Sequence, residues 1–499
     1  MREKDIKRLV LKQLKKDFPG WRRLKRKEKK KLAKQVLDEV MTSHMSDDLS
    51  SVALNELTNT PVPPSGIIPL NEIGKFIEET TRCLLTFPNK RWQKHFDDPE
   101  LRLIDALLDD RVLNRLLVTD SFTPSMRDVF PSHYVRAELL KALRYSEISY
   151  RKYCEEVINR MDSKRERAFL HLSLRKHICI DHSQLSRFRT GLSLAQMMNL
   201  TIYVIHELVK SGRIAHPFHL CGVDSSELAV RCRPYPVAKV KIGSKTVRIY
   251  SELDADCGKR RKKRDKSEYF VGYRLHTLVA IDSETGHNYP LFSLAAPGNH
   301  HDDLFLGQLL AFGKAMGLGV KVITADEGYA DAEENERIQR EYGVTVITPP
   351  KEKVTLPEDV APQTQAVYMN GNCEIPMSYA GRTETGHEFC CGADSDQPCF
   401  HAPLCPQCRE IPLDAGLFGQ IPDQVDGVDQ VKSIRKNMER AYNLLKHREG
   451  LEPLRVKSRH SVMAAATFAQ MATLLLEIVG TRKTSQEEAL PPKQLRFGS

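Results

Sequence analysis

The sequence is short of the features that would send it out of the cell or into a membrane. Its opening stretch, MREKDIKRLVLKQLKK, never builds the apolar core that a secretory leader needs. No internal repeat is visible, which sets aside solenoids and propellers. One long apolar run exists, HSVMAAATFAQMATLLLEIVG at His460–Gly480, rich in alanine and interrupted by Gln470 and Glu477. A membrane span wants ~20 largely uncharged residues, so this run reads as a buried helix, and no membrane partner is expected. Twelve cysteines are scattered, half of them between Cys373 and Cys408, in no regular framework. They read as reduced thiols, with room for one metal cluster.

What is present is a globular composition with a basic balance. Of 499 residues, 41% are hydrophobic and 28% charged, enough for three or so domains. The formal net charge is +10. That excess points to an acidic polymer as partner, nucleic acid first, with an ordinary basic enzyme as the alternative.

Five stretches follow from pattern. Residues 1–69 form a basic extension in which Ile6, Leu9, Val10 and Leu14 recur at helical spacing, closed by the proline-rich linker NTPVPPSGIIP at Asn59–Pro69. Residues 70–215 are helical in pattern and read as a DNA-binding domain. Within them YVRAELLKALRYSEISYRKYCEEVINR, then DHSQLSRFRTGLS, fit a helix, a polar turn and a second helix opened by Asp181 or Ser183. In such a helix-turn-helix Gln184, Arg187 and Arg189 would project from the second helix toward DNA, the alternative being a plain helical bundle. Residues 216–350 and 430–482 form an α/β domain, residues 351–429 a Cys-rich insertion, and residues 483–499 a flexible tail.

In the α/β part the period changes to that of strands. PFHLCGVD is a short apolar run ending at Asp224, and KVKIGSKTVRIYSEL alternates like one strand. GYRLHTLVAID and HNYPLFSLAAPG are two strands joined by a turn, and HDDLFLGQLLAFGKAMGLG is a helix with a glycine stop. VKVITAD is a buried strand ending at Asp326. DAEENERIQREYG is a helix, VTVITPP a strand, and SIRKNMERAYNLLKHR a strong helix carrying Glu439. Two carboxylates at strand ends and a third on a later helix offer hard oxygen donors suited to Mg²⁺ or Mn²⁺. Taken singly, each acid is more ordinarily a cap or an ion-pair partner. Two ions held by three such acids are the equipment for phosphodiester chemistry.

The segment Arg435-Lys-Asn-Met-Glu439-Arg-Ala-Tyr-Asn-Leu-Leu-Lys446 fits Arg-x3-Glu-x6-Lys. It resembles the Tyr-Arg-Glu-Lys signature of bacterial and archaeal insertion-sequence DDE transposases, with Lys432 standing where the signature has tyrosine. GVDSSEL is similar to the family's first-aspartate motif, TADEGYAD to its Asp-x-Gly-Tyr motif, and GNHHDD at Gly298–Asp303 to the Asn-x-His-Asp segment between them. HSQLSRFRTGL resembles the family's N-terminal domain, and the likeness covers roughly residues 130–480. The element order β-β-β-α-β-α-β, insertion, α is that of the ribonuclease H-like fold, a mixed sheet flanked by helices.

The resemblance implies catalytic Asp224, Asp326 and Glu439, hydrolytic nicking of transposon ends, and attack of the freed 3′-hydroxyl on target DNA, in some members through a hairpin. It also implies terminal inverted repeats and target DNA as partners, work as a homodimer on DNA, and a place with the nucleoid in the cytoplasm. Arg435, Glu439 and Lys446 at i, i+4 and i+11 share about one helix face, so Arg435 and Lys446 would clamp phosphates beside the metal. A surface Arg–Glu pair is the plainer alternative.

In the insertion, EFCCGADSDQPCFHAPLCPQC holds Cys405-Pro-Gln-Cys408, a knuckle of the spacing zinc prefers, with Cys390, Cys391, Cys399 and His401 nearby. A structural Zn²⁺ on Cys405 and Cys408 is therefore expected, packed free thiols being the alternative. The run Lys259–Arg264 reads as a loop between strands that touches the DNA backbone, or as a solvated loop. Two competing functions remain: a transposase-derived DNA-binding protein that no longer cuts, and a metal-dependent nuclease that cuts without joining.

Overall fold

Helices come first. The structure, a computed structural model, describes residues 65–83, 98–117, 129–174, 178–232, 235–242, 245–252, 254–261, 267–282, 287–300, 302–349, 360–361, 366–370, 373–392, 407–412 and 451–480, and within 431–446 residues 431, 433, 435, 438–443, 445 and 446. The basic extension up to residue 64, Lys432, Cys399, His401, Cys405 and the tail 483–499 lie outside the described residues.

Before the first strand run α1 (Leu70–Cys83), α2 (Pro99–Leu107), α3 (Asp110–Leu117), α4 (Pro131–Arg144), α5 (Tyr150–Tyr153, continued by a π-helical turn Cys154–Ile158), α6 (Lys164–Phe169), α7 (His182–Gly191) and α8 (Leu194–Lys210). Asp181 caps α7 as expected, accepting from the Ser183 N–H at 2.8 Å. Its partner is Gln184, whose Oε1 accepts from the Asp181 N–H at 2.9 Å. That closes a capping box and commits Gln184 to the helix start. The expected polar turn is much longer than a turn, because α6 stands between α5 and α7. Instead α7 meets α8 across Leu192 and Ser193 at 97°.

The helical part is held by a buried cation. Arg136 on α4 is fully buried; its Nη1 bonds Asp105 at 2.6 Å and its Nε bonds Asp110 at 2.7 Å. His171 closes the ring, reaching Asp110 through Nδ1 at 2.5 Å and Asp105 through Nε2 at 2.9 Å. Of the expected linker, the described end is pinned down. The Ile68 N–H donates to Asn199 on α8 at 2.8 Å, and the Leu70 N–H donates to the Met316 carbonyl at 2.8 Å.

The strands are β1 (Leu220–Ala229), β2 (Ala238–Ile242), β3 (Lys245–Ile249), β4 (Asp256–Arg261), β5 (Ser267–Ile281), β6 (Asn288–Pro297), β7 (Val322–Ala325), β8 (Thr345–Ile347), β9 (Ser378–Arg382), β10 (Gly386–Cys390) and β11 (Cys408–Pro412). The remaining helices are α9 (Asp303–Ala315), α10 (Ala332–Tyr342), α11 (Met438–Asn443) and α12 (Arg459–Val479). The main sheet is mixed: β5 lies antiparallel between β1 and β6, and β7 then β8 extend it parallel to β1. β4 continues the β6 flank of β5, from Asp256↔Gly272 to Arg261↔Ser267.

Three expectations change here. KVKIGSKTVRIYSEL is not one strand but the antiparallel pair β2–β3, from Ala238↔Ile249 to Ile242↔Lys245, outside the main sheet. Lys259, Arg260 and Arg261 are not loop but the end of β4, paired with β5. Asp224 does not end its strand; β1 runs on to Ala229 against β5.

α12 begins at Ser458, a residue of positive φ (74°). The first free amides there are taken by acids preceding β4, Ser458 N–H by Glu252 at 2.5 Å and Arg459 N–H by Asp254. Gly480, in the left-handed region at φ 70°, stops it. By length and composition α12 could cross a membrane, but 83% of its apolar window is buried inside the protein. It packs on β6, α2, α4, α7 and α8, and its Gln470 donates to Ser293 on β6 at 2.6 Å. One apolar core runs from Leu70 through the sheet to Leu476, so helices and sheet fold around α12 together.

Candidate active site

The parallel ladder between β1 and β7 runs from Leu220↔Val322 to Val223↔Ala325 and stops. The next residue on each chain is an aspartate, Asp224 and Asp326. Asp224 stays in the sheet against Thr277 of β5, whereas Asp326 turns away into the short 3₁₀ turn Glu327–Tyr329. Each carboxylate bonds one local amide: Asp224 accepts from the Ser225 N–H at 2.8 Å, Asp326 from the Gly328 N–H at 2.9 Å.

A third acid joins them. A Cβ at Gly328 would lie 2.9 Å from Asp326 Oδ1 and 3.0 Å from Asp302 Oδ2, so two carboxylates flank that glycine. Asp302 precedes α9 and is gripped by Arg274 of β5, whose Nη1 reaches both its oxygens at 3.0 Å. Behind them Tyr329 donates to or accepts from His276 Nδ1 at 2.8 Å, and His276 stacks on Phe305 with ring centres 4.2 Å apart. Burial holds His276 down to about 3, so it stays neutral.

Burial comes first in raising Asp224, to about 7; the Asp326 and Asp302 charges add to it, against the Ser225 amide and Arg435. Asp326 is raised too, by burial and then by Asp302, with Arg435 opposing. These acids are therefore short of positive charge.

Arg435 is near enough to influence both aspartates. Glu439 lies on α11, which packs against β1 and β6. Three residues on, the buried Tyr442 donates its hydroxyl to the Asp224 main-chain carbonyl, with the Leu275 carbonyl at 3.2 Å. Lys446 Nζ pairs with Glu452 at 3.4 Å. Residues 445 and 446 lie in a π-helical turn.

Two DNA-contact expectations separate on α7. Arg187 is exposed. Arg189 is buried, paired with Glu138 of α4 and lying 4.0 Å over the Tyr150 ring. Its guanidinium faces the helical core, so the expectation that it reaches DNA is corrected: Leu185 and Phe188 set the inward face, and Arg189 follows Phe188 into it.

Of the expected zinc pair, Cys408 is joined to Cys390 in a disulfide and Cys405 lies outside the described residues. The reason is register: β10 and β11 place the two cysteines directly opposite. Together with Glu388 they bring three donor atoms within 4.8 Å.

Asp302, Arg274, His276, Tyr329 and Tyr442 were not singled out as site residues from sequence. Two had a signal: Asp302 ends Asn299-His300-His301-Asp302, and Tyr329 ends Asp326-Glu327-Gly328-Tyr329.

The comparisons with known proteins bear on this geometry. Residues 241–475 match the family model of the transposase DDE domain. The match supports a DDE transposase. It takes in Asp302, Asp326 and Glu439 and begins downstream of Asp224. No curated protein sequence matches. Among solved structures, a piggyBac transposase synaptic complex with hairpin DNA, seen by cryo-electron microscopy, is similar at 13% identity. The alignment covers 84% of this chain and 89% of that one with a TM-score of 0.27, a level that carries no argument.

Proposed function

We propose that the protein is a DDE transposase of the insertion-sequence type that binds transposon ends, cuts DNA and joins the freed end to a target. Asp224, Asp326 and Glu439 are its metal-holding carboxylates. The observation that carries this reading is the emergence of Asp224 and Asp326 side by side beyond Val223↔Ala325, with the Glu439 helix packed on the same strand. The transposase DDE match over residues 241–475 supports it. So does the mixed sheet, with β7 and β8 parallel to β1 and β5 antiparallel to it.

The donor set fits Mg²⁺ or Mn²⁺: hard carboxylate oxygens, raised in proton affinity first by burial and then by neighbouring aspartate charge. Bound there, divalent ions would lower the pKa of an attacking hydroxyl and stabilise the leaving oxygen of a phosphodiester. The chain's own residues do the rest. Arg435 offers a planar cation beside both aspartates, suited to two phosphate oxygens. Arg274 fixes Asp302 while its Nη2 donates to the Lys259 carbonyl at 3.2 Å, tying the site to the strand that begins the basic run. Tyr329, His276 and Phe305 form a buried wall behind Asp302. Arg187 on the exposed side of α7 is the DNA contact we assign to the helical half. We further propose that the protein acts as a homodimer on terminal inverted repeats, at the nucleoid.

Joining decides between transposase and nuclease. Full-length protein, Mg²⁺, DNA carrying the sequences that flank its own gene, and a target plasmid should yield joined molecules in which the cut 3′ end is linked to target. Cut but unjoined DNA would favour a nuclease. Bound but intact DNA would favour an inactive DNA-binding relative.

A further inference from the structure

Glu439 lies on the helical stretch Met438–Asn443. Its place is set by its neighbours. One residue before Glu439, Met438 is fully buried against Val279 and Ala441. It drops into a notch on β1: a Cβ added at Gly222 would collide with Met438 Sδ and stand 3.0 Å from its Cε. Three residues after Glu439, the Tyr442 hydroxyl meets the main-chain carbonyl of Asp224 itself.

Resting on the transposase reading above, we propose that Met438 and Tyr442 are positioning residues that fix Glu439 relative to Asp224, the first through the Gly222 notch and the second through the Asp224 carbonyl. The two anchors bracket Glu439 within a single stretch of helix. Both bear on β1, at Gly222 and Asp224, two residues apart. The relation between the helix backbone at Glu439 and the strand backbone at Asp224 is therefore set through these two contacts. Gly222 is required here for space; its missing side chain is the room that Met438 occupies. A buried tyrosine hydroxyl needs some partner, and any nearby carbonyl would satisfy that need. The specific consequence of this partner is that moving Tyr442 moves Glu439 against Asp224.

The test uses the full-length protein without DNA and Mn²⁺ as probe, free Mn²⁺ being counted by electron paramagnetic resonance, with a thermal melt on each variant. Tyr442→Phe keeps the ring and loses only the hydroxyl; it should weaken Mn²⁺ binding about 3–10-fold. Gly222→Ala should weaken it at least as much, and Met438→Ala in the Gly222→Ala background should recover affinity, since it empties the contested space. A merely structural role would lower the melts and leave Mn²⁺ affinity unmoved in Tyr442→Phe and Gly222→Ala, and that result overturns the proposal. Glu439→Ala is the control. If it binds Mn²⁺ like the wild type, the metal reading of the site fails and the inference with it. If it loses binding while the other two do not, only the inference fails.

Discussion

Asp224 and Asp326 are neighbours by register: each is the first residue beyond Val223↔Ala325, the last pair of the parallel ladder between β1 and β7. From that point one strand continues and the other turns away, which opens the sheet between two acids. The arrangement has a cost that can be measured as a function of pH.

Asp224 is raised to about 7 and Asp326 is raised as well, so without metal the folded pair keeps a proton that the unfolded chain releases near pH 4. The folded state then binds more protons, and stability falls as pH rises from about 4 to about 7. Each pH unit removes at most ~1.4 kcal/mol, about 3–6 °C in the melt of a domain of roughly 150–250 residues. In EDTA, Asp224→Asn should flatten this slope, and Mg²⁺ should raise the wild-type melt most at the upper end of the window. A wild-type slope identical to that of Asp224→Asn would remove the pair from the account.

Arg187 and Arg189 stand two residues apart on α7 and should behave oppositely. Arg189→Ala leaves Glu138 buried without its cation and should cost about 3–5 kcal/mol of stability. Arg187→Ala should leave the melt within about 0.5 kcal/mol and weaken DNA binding, with a flatter salt dependence if the contact is to phosphate. Melts and salt-titrated binding on the full-length chain check both. Equal melts for the two variants would contradict the placement of Arg189.

The Cys390–Cys408 bond joins adjacent strands of the three-stranded sheet β11-β10-β9. Non-reducing peptide mapping should recover the linked pair, and elemental analysis should find less than one zinc per chain. Reduction should destabilise this sheet by roughly 3 kcal/mol, the scale for a loop of this size. About one zinc equivalent with both thiols free would restore the knuckle reading of Cys405 and Cys408.

Much of the α/β part was legible because its signals are local. Apolar strands, the Asp331 cap and Gly343 stop of α10, and the buried α12 follow from period and end residues. The extension of β1 past Asp224 was not legible, since SSELA carries no strand pattern and is held only by pairing with β5. The inward turn of Arg189 was hidden for the same kind of reason: its partner, Glu138, is 51 positions away. Asp302 stood at the end of a motif already noticed, yet its role depends on the non-local approach of Gly328 and Arg274. Tyr442 carried no signal, because its partner is a main-chain carbonyl 218 residues earlier.

On the proposed function, Asp224, Asp326 and Glu439 hold the divalent ions for DNA cleavage. Its most direct test is single-turnover cleavage of DNA bearing the gene's own flanking ends, with Mg²⁺, for the wild type and for Asp224→Ala, Asp326→Ala and Glu439→Ala, alongside binding of the same DNA. The account predicts that each substitution lowers the cleavage rate by at least ~10³-fold, the scale of losing a group that acts on the transition state, while DNA affinity stays within about 3-fold. Cleavage at the wild-type rate by any one of the three variants would contradict it.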